Sequence, residues 1–176
     1  MAKKREYKKW SQQQYTHGAI WVTIAAAMLN LNDKAFEYYR MINPIEHTRT
    51  KEAANIYKVE PYVVAADVYG KANLAGRGGW TWYTGSSSWM FIAGIKYILG
   101  INIEGGVLRV EPHVPDSWDG YSVRFHYGDS IYNVKVIKNV EEKKVLLNGE
   151  EVKDFAIRLN TNGGIYNVEV YFNNQI

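Results

Sequence analysis

Apolar residues recur at helical spacing up to about residue 99 and at every second position from about residue 101 onward. In the first half the pattern predicts a helix over 18–31, rich in Ala, Leu and Ile and closed by the turn Asn30-Leu31-Asn32-Asp33. Asp33 suits the N-cap of a second helix over 34–42, stopped by Asn43-Pro44. A helical turn is expected at 52–54, a third helix over 62–69 closed by Gly70, and a fourth from the Ser86-Ser87-Ser88 cap to Leu99, ended by Gly100. Ala75-Gly76-Arg77-Gly78-Gly79 reads as a flexible loop. In the second half, 107–111, 121–127, 131–138, 143–147, 155–159 and 165–172 alternate as strands do. Gly128-Asp129, Asn148-Gly149 and Asn162-Gly163-Gly164 are hairpin signals, and Asn-Gly is the dipeptide that a type I′ turn favours. The pattern alone makes the tail an antiparallel sheet or sandwich, and the chain shows no internal repeat.

Three of the four helices are apolar all round. Trp21, Val22, Ile24 and Met28 encircle the first, Val63, Val64 and Val68 the third, and Trp89, Phe91, Ile92, Ile95 and Ile98 the fourth. A helix of that kind must be covered all round, and these cannot all cover one another. The inference is that the chain is a truncated piece of a larger fold, or that an oligomer buries the faces.

Composition narrows the class. The chain has 176 residues, 47% hydrophobic and 22% charged, which is globular. No apolar run approaches the roughly 18 residues of a membrane span, and no signal-peptide core follows the N-terminus. With no cysteine, thiolate catalysis, disulfides and Cys-ligated zinc are excluded, and a reducing compartment, the cytoplasm, is the expected location. The net charge of +3 comes from Lys3, Lys4, Arg5, Lys8 and Lys9 against Glu6, and the remainder is about neutral. Residues 1–12 are read as a solvated, disordered arm rather than a nucleic-acid grip, since no stacking module follows. Residues 13–100 form the helical segment and 101–176 the β domain. Six Trp and 14 Tyr are many for this length, and such rings often line sugar-binding surfaces.

Chemistry concentrates in few places. His17, His47, His113 and His126 have no metal-ligand spacing, and no Walker loop, nucleophile elbow or dinucleotide fingerprint occurs. Gly-rich residues 76–79 lead to Thr84-Gly85-Ser86-Ser87 at an expected helix start. Free backbone N–H groups, hydroxyls and the positive dipole end would meet there, as at phosphate sites. Ser caps are common, so spacing alone favours a plain cap over an anion site. His17, opening the first helix, could donate to an anion or orient a ligand, although such a His is more often a polar group satisfied at a helix end. Lys58 and Glu60 would share one side of an extended segment, where the carboxylate could meet sugar hydroxyls; the plainer reading is a charge pair before a helix.

Several segments together resemble the C-terminal part of family 94 glycoside hydrolases, the inverting disaccharide phosphorylases and the phosphorylase-like region of cyclic β-1,2-glucan synthases. They are Tyr-Thr-His-Gly-Ala-Ile-Trp (15–21), Tyr-Lys-Val-Glu-Pro-Tyr-Val-Val-Ala-Ala-Asp-Val-Tyr (57–69), Gly-Gly-Trp-Thr-Trp-Tyr-Thr-Gly-Ser (78–86), Ile-Leu-Gly-Ile (98–101) and Leu-Arg-Val-Glu-Pro-His-Val-Pro (108–115). The resemblance covers about 13–138, and 1–10 does not share it. It implies an α+β chain: the last helices of an incomplete (α/α)6 barrel, then an antiparallel jelly-roll-like sheet. It implies phosphate-binding roles for His17, Thr84, Gly85 and Ser86, and sugar contacts for Lys58, Glu60 and Trp82.

The resemblance also implies a reaction. Inorganic phosphate is the co-substrate, no other cofactor or metal is expected, and the partner is a β-linked glucoside. The family's general acid lies in an Asp-Trp-Asn-Asp-Gly-like motif that this sequence does not contain. The expectation is therefore a carbohydrate-active phosphorylase piece with no catalytic residue of its own, inactive alone. The alternative is a carbohydrate-binding or assembly module that joins a separate catalytic half or a second copy. Neither reading involves nucleic acid or a membrane.

Overall fold

The computed structural model describes residues 13–138 and 141–173. The basic arm read at 1–12 lies outside them. The chain divides into two compact units, one built from the residues up to Leu29 and from Lys34 to Gly94, the other from Asn30–Asp33 and from Ile95 onward. The protein is α+β.

In the first unit, α1 (Thr16–Met28) begins just after a short strand, β1 (Gln13–Tyr15), which the periodicity did not reveal. α2 (Asn32–Ile42) places Asp33 in its first turn and Arg40 in its last, the order that the helix dipole favours. Pro44 ends it and opens α3 (Pro44–His47), where the Asn43 side chain accepts from Ile45 N at 3.0 Å. The turn expected at 52–54 is longer, α4 (Lys51–Tyr57), capped by Thr50 Oγ1 accepting from Ala53 N.

The helix expected over 62–69 is not there. Residues 63–66 run as buried coil into β2 (Asp67–Tyr69), which pairs antiparallel with β1. The backbone groups of this stretch bond to distant segments: Ala66 N to Trp80 O, Tyr83 N to Val64 O, Thr16 N to Ala66 O. Its valines fit a pleated, buried path at least as well as a helix, and tertiary pairing decided between them. Residues 75–79 are not a flexible loop either. Gly78 and Gly79 are buried and donate to Tyr57 O and Asp67 O. A Cβ at Gly78 would overlap Val59 Cγ2, and one at Gly79 would overlap Asp67 Oδ1, so the glycines permit close packing rather than motion.

The fourth helix starts two residues earlier than expected and changes pitch. α5 (Thr84–Ile92) passes into a π-helical stretch over Ala93–Ile98. Its N-cap is Tyr83 and carries no side-chain cap bond, so the serines are not the cap. Gly94 lies against Tyr39, whose hydroxyl would stand 2.9 Å from a Cβ there.

The second unit holds two sheets. β3 (Ile101–Glu104), unforeseen from the pattern, pairs with β4 (Val107–Val110) across Gly105-Gly106, both at positive φ, and β4 pairs with β9 (Ile157–Arg158). The larger sheet has the order β5 (Gly120–Tyr127), β6 (Ser130–Lys138), β10 (Ile165–Phe172), β7 (Lys144–Leu147), β8 (Glu150–Glu151). It is not wholly antiparallel, because β10 runs parallel to β6. Alternation marks a strand but not its direction.

Asn148 and Gly149, at φ 53° and 88°, close the β7–β8 hairpin as a type I′ turn requires. Asn162-Gly163-Gly164 closes no hairpin; it carries the chain from β9 in one sheet to β10 in the other. The Asn162 carboxamide oxygen organises that crossing, accepting from Gly164 N at 3.0 Å and Tyr166 OH at 2.9 Å. Tyr132, Val134, Val136, Val168 and Val170 form the buried face. Phe125, Tyr132 and Tyr166 stack across β5, β6 and β10 with centroids 5.4 and 4.8 Å apart.

Candidate functional site

The first unit gathers aromatic rings around His17, the second residue of α1. The imidazole stacks on Tyr15 at 6.1 Å, meets Trp21 edge-on at 4.9 Å, and lies 6.5 Å from Tyr83 and 6.2 Å from Trp89. Tyr15 precedes α1 and Tyr83 caps α5, and their hydroxyls are 3.0 Å apart. That bond raises the Tyr15 phenol above its ordinary pKa. The starts of α1 and α5 therefore lie side by side, with β1–β2 pairing fixing the approach to α1. Sequence reasoning had singled out His17 but missed Tyr15, Tyr83 and Trp89 as its neighbours; ring contacts between residues so far apart in the chain leave no local signal.

Thr84 is the first residue of α5 and is exposed. Gly85 follows, with nothing within 4 Å of where a Cβ would stand, so a ligand could reach the backbone there. Ser86 is fully buried and its Oγ has no hydrogen-bond partner among the described residues. Ser87 and Ser88 bond back to the carbonyls of Tyr83 and Thr84, four residues earlier. Ser86 has no equivalent, because the residue four before it is Trp82, which precedes the helix at φ 60°. The reading of Ser86 as a plain cap is thereby corrected: it is a buried hydroxyl without an acceptor.

The other predicted residues go elsewhere. Lys58 is the left-handed C-cap of α4, at φ 55° and ψ 27°, so it and Glu60 do not share one side of an extended segment. Glu60 is half-buried and stands before no helix; its carbonyl accepts from Val63 N in a turn. Lys58 lines an open cavity of about 470 Å³ with Tyr69, Arg77 and Trp80. Trp82 is 60% exposed and meets Tyr62 edge-on at 6.1 Å, away from that lining. Asp67, absent from the predicted set, has a buried Oδ1 without a partner among the described residues. Among the described residues no three His, Asp or Glu side chains gather as a metal site would need, and no helix is long and apolar enough to cross a membrane.

Comparison with known proteins gives the relationship. Residues 101–168 match the profile described as glycosyl hydrolase family 65, C-terminal domain. The chain is 45% identical over 126 residues to the cyclic beta-(1,2)-glucan synthase NdvB of Rhizobium meliloti (strain 1021), covering 72% of this chain and 4% of that protein. It is 30% identical over 145 residues to the N,N'-diacetylchitobiose phosphorylase of Vibrio furnissii, covering 78% of this chain and 18% of the relative. It is 27% identical over 161 residues to the solabiose phosphorylase of Paenibacillus borealis, covering 89% of this chain and 21% of the relative. The chain thus spans about a fifth or less of the length of these relatives. The remaining match, to the profile described as glycosyl hydrolase 94 superfamily, catalytic domain, begins at residue 5, inside the stretch that read as unlike that family. It runs to residue 100, more than half of the sequence, and the chain belongs to that superfamily.

Proposed function

We propose that this chain is the C-terminal part of an inverting phosphorylase of β-linked glucosides, in which it supplies phosphate and sugar contacts. The observation that carries the reading is the arrangement at the start of α5. His17 lies in the ring cluster that includes Tyr83, and Thr84, Gly85 and the unpartnered Ser86 hydroxyl follow directly. A phosphate there would meet backbone N–H groups, hydroxyls and an imidazole, at a helix end that favours negative charge. Trp80 and Trp82, 78% and 60% exposed, suit stacking on sugar rings. On this reading α1 and α5 belong to an (α/α)6 barrel and the second unit to a jelly-roll-like sheet.

Phosphorolysis with inversion needs a carboxylic acid to protonate the leaving oxygen while phosphate attacks the opposite face of the sugar ring. His17, Thr84, Gly85 and Ser86 include none, so the proton comes from outside this cluster, and since the sequence contains no Asp-Trp-Asn-Asp-Gly-like motif the chain alone is expected to be inactive. The test is a phosphate titration followed by ³¹P and ¹H–¹⁵N NMR. Binding in the millimolar range is expected, with His17→Ala and Thr84→Val each weakening it about tenfold. Equal binding by both variants would sink the assignment. A coupled assay for sugar 1-phosphate, run on protein free of host enzymes, should read zero; turnover would instead give the acid's role to a carboxylate of this chain.

A further inference from the structure

The second unit contains a cavity of about 310 Å³, and none of its lining residues belongs to the proposed phosphate site. Its walls are mostly apolar, Val110, Val145 and Val170 among them, with Glu111, His113 and Lys143 also on the lining. Two polar atoms on its lining are out of place in such walls: Asn32 Oδ1 and Asn173 Oδ1 are buried and have no hydrogen-bond partner among the described residues. Buried polar groups are ordinarily satisfied, so each such atom calls for a partner that binds there. Both are held in place. Asn173 directly follows the buried Phe172 at the end of β10. Asn32 belongs to the short segment Asn30–Asp33, tied to this unit by Asp116 N donating to Asp33 Oδ1 at 3.0 Å.

The lining also carries a ring that is held open. Phe155 is 53% exposed and sits at φ 52°, directly after Asp154 at φ 60°. Two consecutive non-glycine residues in the left-handed region are uncommon, and such strain persists only where the surroundings enforce it. Here the strained turn presents an apolar ring at the cavity instead of folding it away. Tyr171, also on the lining, is held by its hydroxyl donating to Glu169 Oε2 at 2.8 Å.

We infer that this cavity is a carbohydrate-binding pocket, with Asn32 and Asn173 taking hydroxyls and Phe155 stacking on a sugar ring. A hydroxyl both donates and accepts, so it satisfies either orientation of a carboxamide. A sugar ring adds an apolar C–H face, which the valine walls and Phe155 match. Glu111 and Lys143 stand on the lining with opposite charges, so the pocket has no net charge that would select inorganic phosphate. The volume is near the lower limit of the ~300–1,000 Å³ that small-ligand sites span, which restricts the ligand to a short glycan end. The choice of sugar over another polyhydroxyl ligand rests on the phosphorylase reading above.

The experiment titrates the ¹⁵N-labelled full chain with glucose, with a β-(1,2)-linked glucose disaccharide and, separately, with inorganic phosphate. Saturable shifts at the amides of Asn32, Phe155, Tyr171 and Asn173 are expected with sugar in the millimolar range. Phe155→Ala should weaken that binding about tenfold, and Asn173→Leu should do so as well. Because Phe155 is exposed, its replacement does not threaten folding. Sugar titrations that leave these amides unmoved, or that give the same affinity in both variants, overturn the pocket. The phosphate arm reads the other site independently: shifts at His17 and Thr84 with phosphate, while sugar leaves the pocket silent, sink this inference alone, and pocket shifts with sugar, while phosphate leaves His17 silent, sink only the phosphate assignment.

Discussion

Ser86 shows how one residue can separate folding from function. Its hydroxyl is buried with no acceptor among the described residues, which costs stability, whereas a serine serving as a cap would add to it. Ser86→Ala is therefore expected to keep or raise stability by about 1 kcal/mol while weakening phosphate binding. Urea unfolding with an unchanged slope, read beside the phosphate titration, checks both halves. A loss of stability on this substitution would mean that the hydroxyl has a structural partner. In the sequence Ser86 was visible only as one of three adjacent serines. What distinguishes it is its place one turn into α5, with Trp82 turned out of helical geometry four residues before.

Strands and helices carry the next set of expectations. Tyr132 is fully buried in β6; its hydroxyl accepts from Asn160 N at 2.7 Å and donates to Asn160 O at 3.4 Å. Tyr132→Phe keeps the ring stack with Phe125 and Tyr166 but leaves the Asn160 N–H without its partner. A loss of about 1–2 kcal/mol is expected in denaturant unfolding, and an unchanged midpoint would show that water replaces the hydroxyl.

His113, after β4, is half-buried, and burial lowers its pKa below the ordinary 6.5, against a smaller upward pull from Glu111. The unfolded chain then takes up a proton at higher pH than the folded one. The contribution is complete above pH 6.5 and is lost as pH falls from there through the lower folded value. Protection factors of the β6 and β10 amides, with the intrinsic pH dependence of exchange divided out, should fall over that interval, and His113→Asn should flatten the dependence; an equal slope in the variant would assign it to another group. Both Tyr132 and His113 were legible as residues of a β-rich tail. The partner of Tyr132 was not, because Asn160 and Tyr132 meet only through the crossing from β9 to β10.

For the molecule as a whole, the exposed apolar surface is the dominant fact. α1 buries Ile20, Thr23, Ile24 and Ala27 on one side and leaves Trp21, Val22, Met28 and the C-cap Leu29 at 55% exposure or more on the other. Phe91 on α5 is 67% exposed. Contiguous apolar faces of this kind drive association in water. The chain by itself is expected to bind a hydrophobic dye and to gain scattering mass with concentration. A dye-silent monomer at all concentrations would show that these faces tolerate solvent. On the phosphorylase reading the same faces would pack against the rest of the catalytic domain, which agrees with a chain spanning a fifth or less of its relatives.

Periodicity and turn chemistry determined much by themselves. They set the order of a helical and a β half, α1, α2 and α5 to within a few residues, most strands of the tail, and the Asn148-Gly149 hairpin, because each follows from side chains close together in the chain. The over-apolar helices were equally plain from composition along the chain. The tertiary structure alone decided the rest. It drew 62–69 out of helix, since its backbone found partners on Thr16, Trp80 and Tyr83; it made Gly78 and Gly79 packing positions; and it set β10 parallel to β6. It also placed Tyr15, His17, Tyr83 and Trp89 in one cluster and left Ser86 Oγ, Asn32 Oδ1 and Asn173 Oδ1 without partners among the described residues. Those outcomes depend on which distant groups satisfy a backbone amide or fill a cavity, and local pattern carries no information about contacts that close over long stretches of chain.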